Sequence, residues 1–139
     1  ASGDYYDIGP HTVILDCETE KVTVFDFPSS YNTTDGEKFY TIGSEFSYYT
    51  GEYKYHIHTI DPVTKEVADT IYTAGVTEKI KSLTSPYELY ISPYTGSIYF
   101  TDAKSFATAG YLYGYSKEGE ELFEGQKVYV NPGHILAVE

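Results

Sequence analysis

Along the chain, short runs of β-branched, aliphatic and aromatic residues are broken every few positions by Gly, Pro, Asp, Ser or Thr. Short apolar runs bounded by turn formers predict strands. The pattern is densest over residues 85–116, SPYELYISPYTGSIYFTDAKSFATAGYLYGYS. Strands are expected there at 88–92, 97–101 and 111–115, with a fourth at 120–124 after the turn Lys117-Glu118-Gly119. In the turn after the first of these, Pro93 presets φ and Gly96 supplies the positive φ that closes it. Four short strands joined by turns make one antiparallel meander.

The remaining residues read the same way. Strands are expected at 11–16 and 21–27, then at 29–33, 38–48, 53–60 and 66–72, and last at 134–138. No window combines apolar spacing of 3.6 with helix-forming composition and caps, so no helix is predicted. The nearest candidate is TEKIKSL at 77–83. A turn pattern, D-x-x-T-x-x-V, recurs at Asp16 to Val22 and at Asp61 to Val67. A weaker copy runs from Ser116 to Leu122. Intervals of about 45 to 55 residues suit a repeated four-strand unit with variable loops.

The segments ELYISPYTGSIYFTDA and AGYLYGYSKEGEEL, followed by Asn131-Pro132-Gly133-His134 and an apolar run, resemble the repeat of YVTN-type β-propellers. These are seven-bladed surface or periplasmic proteins of Bacteroidetes. The resemblance is most specific over residues 87–138 and weaker over 11–72. It implies an all-β fold, a partial β-propeller of about two and a half four-stranded blades. Residues 11–27 would be a half blade, 29–72 and 88–124 two blades, and 134–138 a ring-closing strand. Such a piece exposes sheet edges and blade flanks, so it is expected to meet missing N-terminal blades or to self-associate. Ala1-Ser2-Gly3 begins without Met and no signal peptide is visible, so an upstream segment is expected.

Composition narrows the chemistry. The chain has 139 residues, with 9 Lys plus Arg against 21 Asp plus Glu and a net charge of −12. That balance argues against nucleic acid and against an anionic membrane surface. A cation or a neutral polar ligand fits better. Tyr is the outstanding residue at 17, with no Trp or Met. Most tyrosines must serve half-buried strands, and a smaller number in loops are available for binding. Cys17 is alone in an acidic setting, which predicts an inert thiol and no internal disulfide.

No catalytic set stands out. There is no Gly-x-Ser-x-Gly elbow, and the carboxylates fall mostly in turns. Asp35-Gly36-Glu37 reads as a hairpin turn rather than a calcium loop. His56 and His58 share a strand face, but nothing completes a metal site, and hydrogen-bonded strand histidines are the better reading. No metal and no cofactor are therefore expected. His134 is read as a polar cap at the entry to the last strand, with a ligand contact left open.

In a propeller, loops joining second to third strands gather at one end with the loops between blades. Here the first set is 3–9, 48–53 and 102–110, and the second includes 80–87 and 126–134. Candidate ligand-binding residues on them are Tyr5, Tyr6, Tyr48, Tyr49, Tyr53, Tyr87, Asp102, Lys104, Phe106 and His134, with Asp7 and Tyr129 nearby. The alternative is that these aromatics pack across blade seams. The resemblance implies a non-catalytic binding protein of the bacterial surface (an outer-membrane lipoprotein) or periplasm. Some similar propellers bind cobalamin and pass it to an outer-membrane transporter. A glycan- or protein-binding scaffold is the alternative, as is a propeller lyase or lactonase with its site in missing blades.

Overall fold

Turn chemistry fixes the strand pairing. In the computed structural model, which describes residues 9–138, three antiparallel sheets follow one another along the chain. The first is a hairpin of β1 (Thr12–Leu15) and β2 (Val22–Phe25). The second is a meander of β3 (Tyr31–Thr34), β4 (Phe39–Ser47), β5 (Glu52–Ile60) and β6 (Val67–Ala68). The third is a meander of β7 (Pro86–Ile91), β8 (Ile98–Asp102), β9 (Tyr111–Tyr115) and β10 (Glu121–Lys127). Mostly β architecture in antiparallel meanders is what the apolar pattern predicts.

The repeated turn has one geometry. Asp16 Oδ1 accepts from the N–H groups of Glu18 and Thr19, and Asp61 Oδ1 accepts from those of Val63 and Thr64. Ser92 Oγ takes the same part toward Tyr94 and Thr95. The closing residue is left-handed each time: Glu20 at φ 57°, Lys65 at 65° and Gly96 at 69°. Each turn then closes with a 2.9 Å backbone bond, from Asp16 to Lys21, from Asp61 to Glu66 and from Ser92 to Ser97. Gly96 adopts its φ without strain, whereas Glu20 and Lys65 tolerate it through the side-chain cap. The turn at Ser116 is one residue tighter, closing from Ser116 to Glu120 at 2.8 Å, with Gly119 at φ 89°.

The core lies between the two meanders. Tyr40, Ile42 and Ile57 on one face of β4 and β5 meet Leu89, Ile91, Ile98, Phe100, Tyr113 and Tyr115 on β7 to β9. Alternation along each strand sends these to one side and polar residues to the other. Phe100 is fully buried with its ring stacked 5.7 Å from those of Tyr113 and Tyr115. Truncating such a ring to Ala typically costs about 3–5 kcal/mol. The sheets also meet at their first strands, where Ile91 N–H donates to Thr33 Oγ1 at 3.2 Å.

On the opposite face of β4 and β5, the segment that follows β2 covers His58 and Gly43. Phe27 stacks on His58, and Pro28 lies over Gly43 so closely that a Cβ there would sit 1.9 Å from the Pro28 carbonyl oxygen. Gly43 is thus required by close backbone approach.

Three expectations need correction. A helix, α1 (Ala74–Lys81), occupies the connection between the meanders. It is capped by Thr73, whose side chain accepts from Val76 N–H, and it ends in Lys79 and Lys81. Eight residues are too few to hold a helix alone, and Val76, Thr77 and Ile80 anchor it in the core. Second, the strand expected at 66–72 shrinks to β6, because Tyr72 turns left-handed at φ 59° and its hydroxyl donates to Gly96 O at 2.6 Å. Third, residues 134–138 form no strand. No sheet edge among the described residues pairs with them, Leu136 and Val138 are exposed, and no ring closes.

Candidate functional site

The β4–β5 hairpin is long and becomes aromatic toward its tip. Phe46 pairs with Tyr53 across the strands, their rings 5.1 Å apart. Tyr53 and Tyr55 alternate onto one face with planes 20° apart. Opposite them, the 103–110 loop carries Phe106. Between these walls lies a cleft of about 590 Å³ lined by Tyr31, Ser44, Glu52, Tyr53, Tyr55, Thr84, Ser85, Pro86 and Phe106.

The far wall is held by Asp102 at the end of β8. Its fully buried carboxylate accepts from the backbone N–H groups of Thr84 at 3.1 Å, Ser85 at 2.9 Å and Lys104 at 2.9 Å. Lys104 Nζ completes the set at 2.8 Å. Burial pushes the Asp102 pKa up, but the Lys104 ammonium and these N–H groups outweigh it and hold the carboxyl below its ordinary value. Ser85 Oγ donates to Lys104 O at 2.8 Å, tying the loop to the strand entry again. Lys104 and Phe106 both take left-handed backbone, at φ 55° and 61°. Left-handed non-glycine residues cost about 1–3 kcal/mol each and persist where the surroundings over-determine them.

A second cleft, about 430 Å³, shares Tyr31 and is lined also by Ser30, Asn32, Tyr87, Glu88, Gly133 and His134. Tyr87 bridges the two, 5.8 Å from Tyr31 and 5.5 Å from Phe106 in ring centroids. Burial, then the neighbouring Tyr87, raises the Tyr31 pKa, and burial raises that of Tyr55. Both phenols are therefore neutral hydrogen-bond donors at ordinary pH. Tyr55 uses its hydroxyl on Thr84 O at 3.3 Å.

Of the residues singled out from the sequence, Tyr53 and Phe106 line the first cleft, and Tyr87 and His134 the second. His134 is almost wholly exposed, with Nδ1 3.8 Å from Glu88 Oε2. Asp102 faces inward with its oxygens occupied, and Lys104 is its partner, so both support the wall rather than line it. Tyr48 and Tyr49 stand exposed at the hairpin tip and line neither cleft. Tyr5 and Tyr6 lie outside the described residues. Tyr31, Tyr55, Ser44 and Glu52 join the cleft without having been singled out. The alternation of Tyr53 and Tyr55 was the available signal for one of them.

His56 and His58 do share a face, with rings 6.3 Å apart. His56 Nε2 meets Glu45 at 3.1 Å and His58 Nε2 meets Asp69 at 3.5 Å. Among the described residues no group of three or more His, Cys, Asp or Glu is arranged to hold a metal ion. No protein-family model matches the chain, and no curated protein matches it.

Proposed function

We propose that this chain is part of a β-propeller that binds a small organic molecule without transforming it, in the aromatic cleft between the two meanders. The observation that carries this reading is the cleft itself: Tyr31, Tyr53, Tyr55 and Phe106 around Ser44 and Glu52. Aromatic faces with a few polar groups are the usual make-up of a small-molecule site. Two four-stranded meanders in succession support the propeller, as does the sequence resemblance over residues 87–138. An adjoining blade or a second copy would cover Val13, Leu15, Val22 and Val24, which stand exposed together on one face of the first hairpin.

A corrinoid is the leading ligand, taken up at the bacterial surface or in the periplasm for delivery to an outer-membrane transporter. A flat macrocycle with peripheral amides suits ring faces flanked by hydroxyl and carboxylate groups. Calorimetric titration with cyanocobalamin tests it. Saturable binding is expected, weakened about tenfold or more by Tyr53→Ala or Phe106→Ala. Binding of glycans or peptides instead, with none of cyanocobalamin, would replace the ligand and keep the cleft. Equal affinity in both variants would remove the cleft from the reading.

A further inference from the structure

A separate cavity of about 290 Å³ lies between the first hairpin and the covered face of the second sheet. Its walls include Ile14 from β1, Phe39 from β4 and Ile60 from β5, with Leu15 at the rim, and its polar lining residues are Thr12, Ser29, the exposed Asn32 and the buried Thr41. Not one lining residue is charged. Thr41 is 2% exposed, and its hydroxyl has no hydrogen-bond partner among the described residues. Asn32, Thr41 and His58 stand in register across β3, β4 and β5, and His58 Nδ1 is likewise buried without a partner.

A buried hydroxyl left unpaired costs about 1–3 kcal/mol, so native structures almost always give such a group a partner. Thr12 Oγ1 already donates to Phe27 O and Asn32 reaches solvent, so the buried Thr41 hydroxyl, with the apolar side chains beside it, defines what completes the site. An ion is excluded, because no opposite charge would compensate its desolvation. A wholly apolar guest would leave Thr41 unanswered. The volume is at the small end for ligand pockets. Leu15 and Phe39 are partly exposed at the rim, which leaves a way in.

We propose that this cavity is a second binding site, for a small neutral amphiphile with one compact apolar body and one hydroxyl or carbonyl group. The apolar body lies between Ile14 on one side and Phe39 and Ile60 on the other, with Leu15 at the rim. The polar group exchanges a hydrogen bond with Thr41 Oγ1. This site shares no residue with the aromatic cleft, so it stands or falls separately from the reading above.

The test is a ¹⁵N–¹H correlation titration of the whole chain with p-cresol, and with toluene as the partner lacking a hydroxyl. Saturable shifts are expected at the amides of Ile14, Asn32 and Thr41. Thr41→Val, which keeps the shape and removes the hydroxyl, is expected to weaken p-cresol about fivefold and leave toluene unchanged. Thr41→Ser, which retains the hydroxyl, is expected to bind p-cresol like the parent. Shifts that do not saturate, that fall only at Tyr53 and Phe106, or that are unaffected by Thr41→Val while the fold is intact overturn the proposal.

Discussion

Phe27 lies face to face on His58, with ring centroids 3.7 Å and planes 22° apart. This contact, with Pro28 over Gly43, is where the segment leaving the first hairpin grips the second sheet. Burial holds the His58 pKa below its ordinary 6.5, the charge of Asp69 pulls upward, and His56 adds to the lowering. The unfolded chain therefore takes up this proton more readily than the folded one. The stability contributed by neutral His58 is complete above 6.5 and is lost as the pH falls below it. The urea midpoint is expected to drop as the pH falls below 6.5, and His58→Gln to flatten that part of the profile. An unchanged slope in the variant would assign the dependence to other groups.

Gly43→Ala tests the same seam sterically. Its Cβ would sit 1.9 Å from the Pro28 carbonyl oxygen and 2.5 Å from the Pro28 carbonyl carbon. Backbone atoms cannot swing away as a side chain can, so a loss of about 1–3 kcal/mol is expected in chemical denaturation. Amide exchange in β1 and β2 is expected to rise before that in β7 to β9.

Asp102→Ala removes the acceptor for three backbone N–H groups and strands the Lys104 ammonium. Breaking a buried ion pair from one side typically costs about 3–5 kcal/mol. Because Lys104 is about one-third exposed, a value near the low end, about 3 kcal/mol, is expected. The folded carboxyl lies below its ordinary 3.8, so its contribution is complete above that value and is lost as the pH falls further. Acid unfolding of the parent is expected to steepen below about pH 4, and Asp102→Asn to lack that step. Urea melts at several acidic pH values measure both.

Thr73→Ala removes the N-cap of α1. The expected loss is about 1 kcal/mol by thermal or urea melting. Thr73→Ser, which keeps the capping oxygen, is expected to restore most of it. A neutral alanine variant would mean that core packing of Val76 and Ile80 alone sets the helix start.

Much of this architecture was legible in the chain. The hairpins follow from Asp16, Asp61 and Ser92, whose side chains cap turns that only one backbone geometry satisfies. The strand at Tyr111–Tyr115 stands where its aromatic alternation puts it. The helix was not legible, because two turns with apolar anchors at Val76 and Ile80 carry too little period of their own. The run after His134 looks like a strand, yet a strand exists only where an edge accepts it, and edge partners are not local information. In the cleft, Tyr53 and Phe106 could be picked out as loop aromatics. The burial of Asp102 could not, since it depends on Thr84 and Ser85, just before β7, being brought against the end of β8.

The knot around the Asp102 carboxylate also bears on how quickly the cleft can fill. It roots the 103–110 loop at its base, so Phe106 is already in place before any guest arrives. Little ordering entropy remains to be spent when a molecule enters. For the binding proposed above, capture is then expected to be paced by diffusion and orientation rather than by assembly of a wall, with differences among guests read in how long each one stays.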